Sequence, residues 1–213
     1  MQIKCLMSSL FLISLAFIVA AAAPGYSAAF TNGGFEASSP GWTGTYQPQN
    51  AGSTTIPGWT VTFGSVDWIN TYWQNAEGSY SIDLSGTSLG QISQTFGTQI
   101  GQPYKVTFAM AGNPDGGGDA IKDLLSVVVG GAVSQIFSFV TTGKSTADMD
   151  WEDRVFLFTA LTTSTTLQFT GLEGNAYGAA IDNVRVEAVP VPAAAWMLGT
   201  GLIGLVALRR KFN

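Results

Sequence analysis

The segment Tyr104-Lys105-Val106-Thr107-Phe108 decides the fold class: apolar and polar residues alternate one for one, the period of a half-buried strand rather than of a helix. The same beat recurs in Tyr80-Ser-Ile-Asp-Leu84, Arg154-Val-Phe-Leu-Phe158, Thr166-Leu-Gln-Phe-Thr170 and Ile181-Asp-Asn-Val-Arg-Val186. Leu124 to Val129 is nearly continuous in apolar residues, as a strand buried on both faces would be. Turn-forming clusters separate these runs: Asn113-Pro-Asp-Gly-Gly-Gly118, Gly130-Gly131, Gly171 and Gly174-Asn175. No stretch carries three turns of amphipathic helix. The spacing predicts about eight or nine strands over roughly 160 residues, hence an all-β, two-sheet β-sandwich over residues 30–188. No internal repeat is visible, which argues against propellers and solenoids.

Composition narrows the chemistry. The 213 residues include no histidine, which excludes imidazole bases, Ser-His-Asp triads and imidazole metal sites. The one cysteine, Cys5, sits in an N-terminal apolar run, so the body holds no disulfide, thiolate zinc site or cysteine nucleophile. All 14 acidic residues lie between Glu36 and Glu187, where only 5 of the 9 basic residues fall, giving this region a formal charge of −9. A surface of that sign repels nucleic acid and anionic lipid. It suits neutral glycans and divalent cations.

The two ends are expected to be targeting segments. Residues 1–29 read as a secretory signal peptide: Lys4 begins it, an apolar stretch follows to Ala23, and small residues stand at Ser27, Ala28 and Ala29. An uncleaved N-terminal anchor is the alternative. At the other end, residues 189–213 hold a proline motif, an apolar run and the basic tail Arg209-Arg210-Lys211. Val191 to Leu208 is 18 residues, enough to span a bilayer as a helix and to cross the inner membrane transiently. The basic tail would remain cytoplasmic.

The stretch VPVPAAAWMLGTGLIGLVALRRK resembles the PEP-CTERM sorting signal of Gram-negative bacteria. That resemblance implies an exosortase as partner, cleavage near Pro190 and Pro192, and delivery to the cell surface or extracellular matrix. The signature Pro-Glu-Pro is here Pro190-Val191-Pro192. A plain tail anchor is the competing reading.

A second resemblance covers residues 30–188. Asn32-Gly-Gly-Phe-Glu36, Ile56-Pro-Gly-Trp-Thr-Val61, Gly64-Ser-Val-Asp-Trp68, Gly78-Ser-Tyr-Ser-Ile-Asp-Leu84, Gly90-Gln-Ile-Ser-Gln-Thr95 and Ala180-Ile-Asp-Asn-Val-Arg-Val186 occur in the order seen in DUF642-type and choice-of-anchor C domains. The resemblance implies a galactose-binding-like jelly roll, associated with cell walls or extracellular polymer and without an established catalytic activity. In related carbohydrate-binding jelly rolls a structural calcium ion ties the first strand to the last. The matching positions are Glu36 and Asp182; local hydrogen bonding is the other reading of both.

Two acidic clusters, Asp148 to Asp153 and Asp115 with Asp119 and Asp123, fit no EF-hand spacing and read as solvated loops. A glycosidase would need two carboxyl groups held across a cleft, and no motif selects a pair. The aromatics are more specific. Sugar rings present apolar C–H faces to aromatic surfaces, and Trp42, Tyr46, Tyr72 and Trp73 with Gln74 are the candidate carbohydrate contacts. Tyr72, Trp73 and Gln74 fall in a polar stretch, Asn70 to Gly78, expected to be a loop with exposed rings. Trp59 and Trp68 are expected to pack inside. The expected function is non-catalytic binding of extracellular polysaccharide. A purely structural matrix component and a glycan hydrolase are the alternatives.

Overall fold

A computed structural model of the chain describes residues 29–37, 44–116 and 120–190. The apolar segments at the two ends lie outside the described residues, as do Trp42, Asp119, Pro192, Arg209 and Arg210. Eleven strands occur among the described residues: β1 (Tyr46–Asn50), β2 (Thr60–Phe63), β3 (Ser65–Ile69), β4 (Ser81–Asp83), β5 (Gln91–Gly97), β6 (Pro103–Gly112), β7 (Ile121–Val129), β8 (Val133–Val140), β9 (Glu152–Thr159), β10 (Ser164–Gly171) and β11 (Ala179–Ala188). They form one sheet of order β1-β3-β4-β11-β6-β9 and a second of order β2-β5-β10-β7-β8. The expected eight or nine strands become eleven because the first part of the domain holds four short strands, β1 to β4, of three to five residues each.

Alternation does what the sequence promised. On β6, Val106, Phe108 and Met110 are fully buried while Lys105 and Thr107 on the opposite face are partly exposed. Phe108 sits between the sheets, with ring centroids 5.1 Å from Phe137 of β8 and 5.0 Å from Phe169 of β10. Trp59 and Trp68 are both inside. The expectation for Leu124 to Val129 needs correction. In β7, Leu124, Ser126 and Val128 are buried, whereas Leu125 and Val127 are half-buried and Val129 is exposed. Among the described residues no layer covers the outer face of this sheet, so β7 alternates although its sequence does not.

The first segment is fastened to the last strand. The Val184 N–H donates to the Gly33 carbonyl at 2.9 Å, beside the irregularity in β11 between Asp182 and Arg185. A Cβ on Gly33 would lie 1.7 Å from the Val184 carbonyl oxygen, so only glycine permits this approach. Phe35 then turns into the core against Trp59, whose indole N–H donates to the Asn32 carbonyl at 2.8 Å. The Asn32-Gly-Gly-Phe motif is thus a clasp between chain ends.

Candidate functional site

The outer face of the six-stranded sheet positions the site. In β3 and β4, odd-numbered residues point away from the core, and Asp67 stands directly opposite Asp83. Tyr46 of β1 pairs with Ile69 on the same face. Further in, the outward residues Ala180 and Ala111 are small and leave room for loops to lie on the sheet. Three segments use that room: 70–80, 144–151 and 172–178.

The first loop is held from both ends. Trp73 donates its indole N–H to the Ser81 hydroxyl at 2.9 Å, and that hydroxyl donates to the Asn75 side-chain carbonyl at 2.6 Å. Gln74 receives the indole N–H of Trp151 on its backbone carbonyl at 2.7 Å. Trp73 is only 4% exposed, which corrects the expectation of an exposed ring. Its indole lies on the outer sheet face beside Ser81, with the half-buried Tyr72 ring next to it at 5.6 Å. Tyr72, Trp73 and Gln74 do line an open depression of about 590 Å³, together with Asn70, Thr71, Asn75 and Ser79.

Tyr72 is also a wall of a smaller and more enclosed cavity, about 210 Å³, that sequence reasoning missed. Tyr46 and Tyr177, 45% and 39% exposed, form its rim with Tyr72, and Asp67, Asp83 and Asn113 lie deeper. Tyr46 meets Tyr72 edge to face at 5.6 Å, and Tyr72 donates its hydroxyl to Asp115 at 2.6 Å. That hydrogen bond, with burial and the charge of Asp115 behind it, pushes the Tyr72 phenol up to about 12.

The two carboxyl groups differ in their surroundings. Asp83 is buried, and both of its oxygens accept: Oδ1 from the backbone N–H groups of Ser85 and Gly178, Oδ2 from the Asn113 amide. Burial nevertheless pushes its carboxyl up to about 8; the Asn113 and backbone hydrogen bonds oppose the shift, and the charge of Asp67 adds to it. Asp67 is pushed up to about 6 by burial. Its Oδ1 is enclosed and has no hydrogen-bond partner. The signal for this pair was in the sequence: a carboxylate between apolar neighbours in each of two strand segments, Ser-Val-Asp-Trp68 and Ser-Ile-Asp-Leu84. Asn113 and Tyr177 gave no such signal, because turns remote in sequence deliver them.

Glu36 and Asp182, the expected calcium ligands, converge on one loop. Glu36 Oε1 accepts the N–H groups of Ser79 and Tyr80, each at 2.7 Å. Asp182 Oδ2 accepts those of Ala76 and Glu77, each at 3.0 Å. Burial pushes Asp182 up to about 7 against these hydrogen bonds, with the charge of Glu77 adding to the rise. Among the described residues, no three acidic side chains gather closely enough to hold a metal ion on their own. Pro190, which belongs to the expected proline motif, is exposed and follows the end of β11.

An antiparallel two-sheet sandwich whose chain passes back and forth between the sheets from β4 to β11 is the architecture of a jelly-roll domain. The profile of the family described as "Protein of unknown function (DUF642)" matches residues 28–187, and the chain belongs to that family. Halomucin of Haloquadratum walsbyi is 34% identical over 173 residues, a match covering 77% of this chain and 2% of Halomucin. The chain therefore spans a very small part of that relative. Among solved structures, the chain is similar to the CBM22-1 xylan-binding domain from Paenibacillus barcinonensis Xyn10C, at 16% identity and a TM-score of 0.46 over 68% of this chain and 94% of that one. It is also similar to TmCBM61 in complex with β-1,4-galactotriose, at 17% identity and a TM-score of 0.42 over 74% of this chain and 96% of that one.

Proposed function

We propose that the domain is a non-catalytic glycan-binding module, exported and displayed on the cell surface or in the extracellular matrix. One observation carries the binding reading: three tyrosines ring a 210 Å³ pocket with an amide and two carboxyl groups inside it. Ring faces take the apolar C–H side of a sugar, and the polar groups take its hydroxyls. The adjoining 590 Å³ depression, lined by uncharged amides and hydroxyls, offers room for neighbouring residues of a polymer. The candidate contacts are therefore Tyr46, Tyr72 and Tyr177, with Gln74 facing the depression.

The Asp67–Asp83 pair is a specific feature in favour of hydrolysis. Asp83, however, is 1% exposed with both oxygens accepting N–H groups, an arrangement that supports holding a site over donating a proton to a glycosidic oxygen. Export rests on the sequence at the two ends: signal peptide 1–29, transient anchoring through 191–208, and exosortase processing near Pro190 and Pro192. A structural calcium ion at Glu36 and Asp182 belongs to the same reading. It would require the 76–80 loop to turn carbonyl oxygens toward the two carboxylates in place of its N–H groups. Chelation then lowers the melting temperature by several degrees, whereas an unchanged temperature leaves the two residues as loop fasteners.

Affinity electrophoresis of the purified protein through gels carrying different polysaccharides tests the function. Retardation by one polymer, lost in Tyr177→Ala with the fold retained, is the expected result. Failure of every polymer to retard the protein favours a structural matrix component. Exposed Ile136 and Val140 on the edge strand β8, with Val155 and Leu157 on the edge strand β9, would then be its contact surface.

A further inference from the structure

The pocket walls are acidic, with two carboxyl groups and, among the described residues, no cationic side chain lining them. Asp67 and Asp83 both line the cavity, Asp115 holds its Tyr72 wall from outside, and no lysine or arginine is among the lining residues. Lys122 lies behind this wall, close to Gly116, and its charge acts on Glu173. A neutral sugar hydroxyl could donate to a carboxyl oxygen here, but it would leave the charge uncompensated in an enclosed space. A protonated amine brings the opposite charge and three N–H donors together.

A waiting acceptor exists for it. Asp67 Oδ1 is enclosed without a partner, and the Ser85 hydroxyl, in a fully buried residue next to Asp83, also has none. Buried polar atoms are nearly always paired, so the orphaned Oδ1, itself out of reach of solvent, marks Asp67 as a cavity-lining carboxyl whose charge the surrounding residues leave unmet. The tyrosine rim adds ring faces that attract cations as well as sugar C–H groups. A cavity of about 210 Å³ is on the scale of one sugar residue rather than a run of them.

We propose that the Tyr46–Tyr72–Tyr177 pocket selects an amino sugar, seating its protonated amine against Asp67. This rests on the glycan-binding reading and names its ligand class. A sugar amine fits better than a lysine side chain because the adjoining depression is lined by Asn70, Thr71, Gln74, Asn75 and Ser79, groups matched to a hydroxyl-rich chain. Burial already pushes both carboxyls up. A bound ammonium supplies the charge that reverses that cost.

Isothermal titration at near-neutral pH with three tetramers of the same β-1,4 backbone tests the proposal: glucosamine, N-acetylglucosamine and glucose. The glucosamine tetramer is expected to bind about tenfold tighter or more, the scale of one charge-assisted hydrogen bond. Asp67→Asn should bring the three ligands to parity. Asp153→Asn, the same charge change at an exposed position on β9, should leave the preference intact. Tyr177→Ala, at an exposed rim position, is the second variant should Asp67→Asn not fold, and it should weaken all three ligands. Equal affinity for the three tetramers overturns the amine preference while leaving glycan binding in place. No binding of any tetramer overturns both. An equal loss in Asp153→Asn reduces the effect to bulk charge and overturns the proposal, as does an oligolysine that binds as tightly as the glucosamine tetramer.

Discussion

Two cross-strand pairs on β3 and β4, one residue apart, have opposite characters. Trp68 faces Ile82 toward the core, and Asp67 faces Asp83 on the outer side. The inner pair is covered by the opposing sheet, and its burial is what the hydrophobic effect supplies to any alternating strand. The outer pair is covered by Tyr72, Asn113 and Tyr177, delivered by three loops far apart in sequence. The same pleat therefore produces a packed core on one side and a charged, roofed pocket on the other. Burial on the inner side stabilises; burial on the outer side costs stability and gains a site.

The largest expected effect breaks the inner side. Trp68→Ala should lower stability by about 3–5 kcal/mol, read from the denaturant midpoint. A loss below about 1 kcal/mol would remove the contrast between the two pairs. Gly33→Ala belongs in the same range, at about 3 kcal/mol or more, because the new Cβ would meet the Val184 carbonyl oxygen at 1.7 Å.

Next is the response to pH, which reports on the outer pair. The Asp83 carboxyl releases its proton near its ordinary value of 3.8 in the unfolded chain and at about 8 in the folded one. Raising the pH between those values favours the unfolded chain. Stability present at low pH is therefore lost as pH rises from about 4 to about 8, by about 1.4 kcal/mol per pH unit for this one group. Asp67 adds a smaller loss of the same sign between 3.8 and about 6, reduced by its partial contact with water. Asp182 and Glu173, also raised by burial, act in the same direction. Melting temperatures across this range check the slope, and Asp83→Asn should remove the portion that extends above pH 7. A flat profile would mean that the outer pair is as settled as the inner one.

Smaller effects sharpen the comparison at the rim. Tyr72→Phe should cost about 0.5–1.5 kcal/mol through the lost hydrogen bond to Asp115, measured by urea titration. Tyr177→Ala should stay within about 0.5 kcal/mol of the parent in stability while losing retardation by polysaccharide. Equal losses in stability and binding would place Tyr177 in the fold rather than in the site.

The two sides also differ in how legible they were. The core was readable because periodicity is local: Val106, Phe108, Phe156, Phe158 and Leu167 announce their faces by alternation alone. The clasp was visible only as the motif Asn32-Gly-Gly-Phe, since the Gly33–Val184 approach joins opposite ends of the domain. Tyr46 and Tyr72 were singled out because tyrosines in polar segments are conspicuous, and both line the cavity. Trp73 was misplaced because loop composition does not tell which ring turns down onto the sheet beside Ser81. Asp67 and Asp83 were overlooked because a carboxylate in an alternating strand reads as a solvated outer face. Only the fold reveals that loops roof it.

The most direct measurement is backbone and side-chain NMR of the labelled protein titrated with a polysaccharide fragment that retards it. Binding in the roofed pocket predicts chemical-shift changes concentrated at Tyr46, Asp67, Tyr72, Asn113 and Tyr177. Shifts confined instead to the outer face of the other sheet, at Thr95, Thr166 and Gln168, would contradict the assignment of the site.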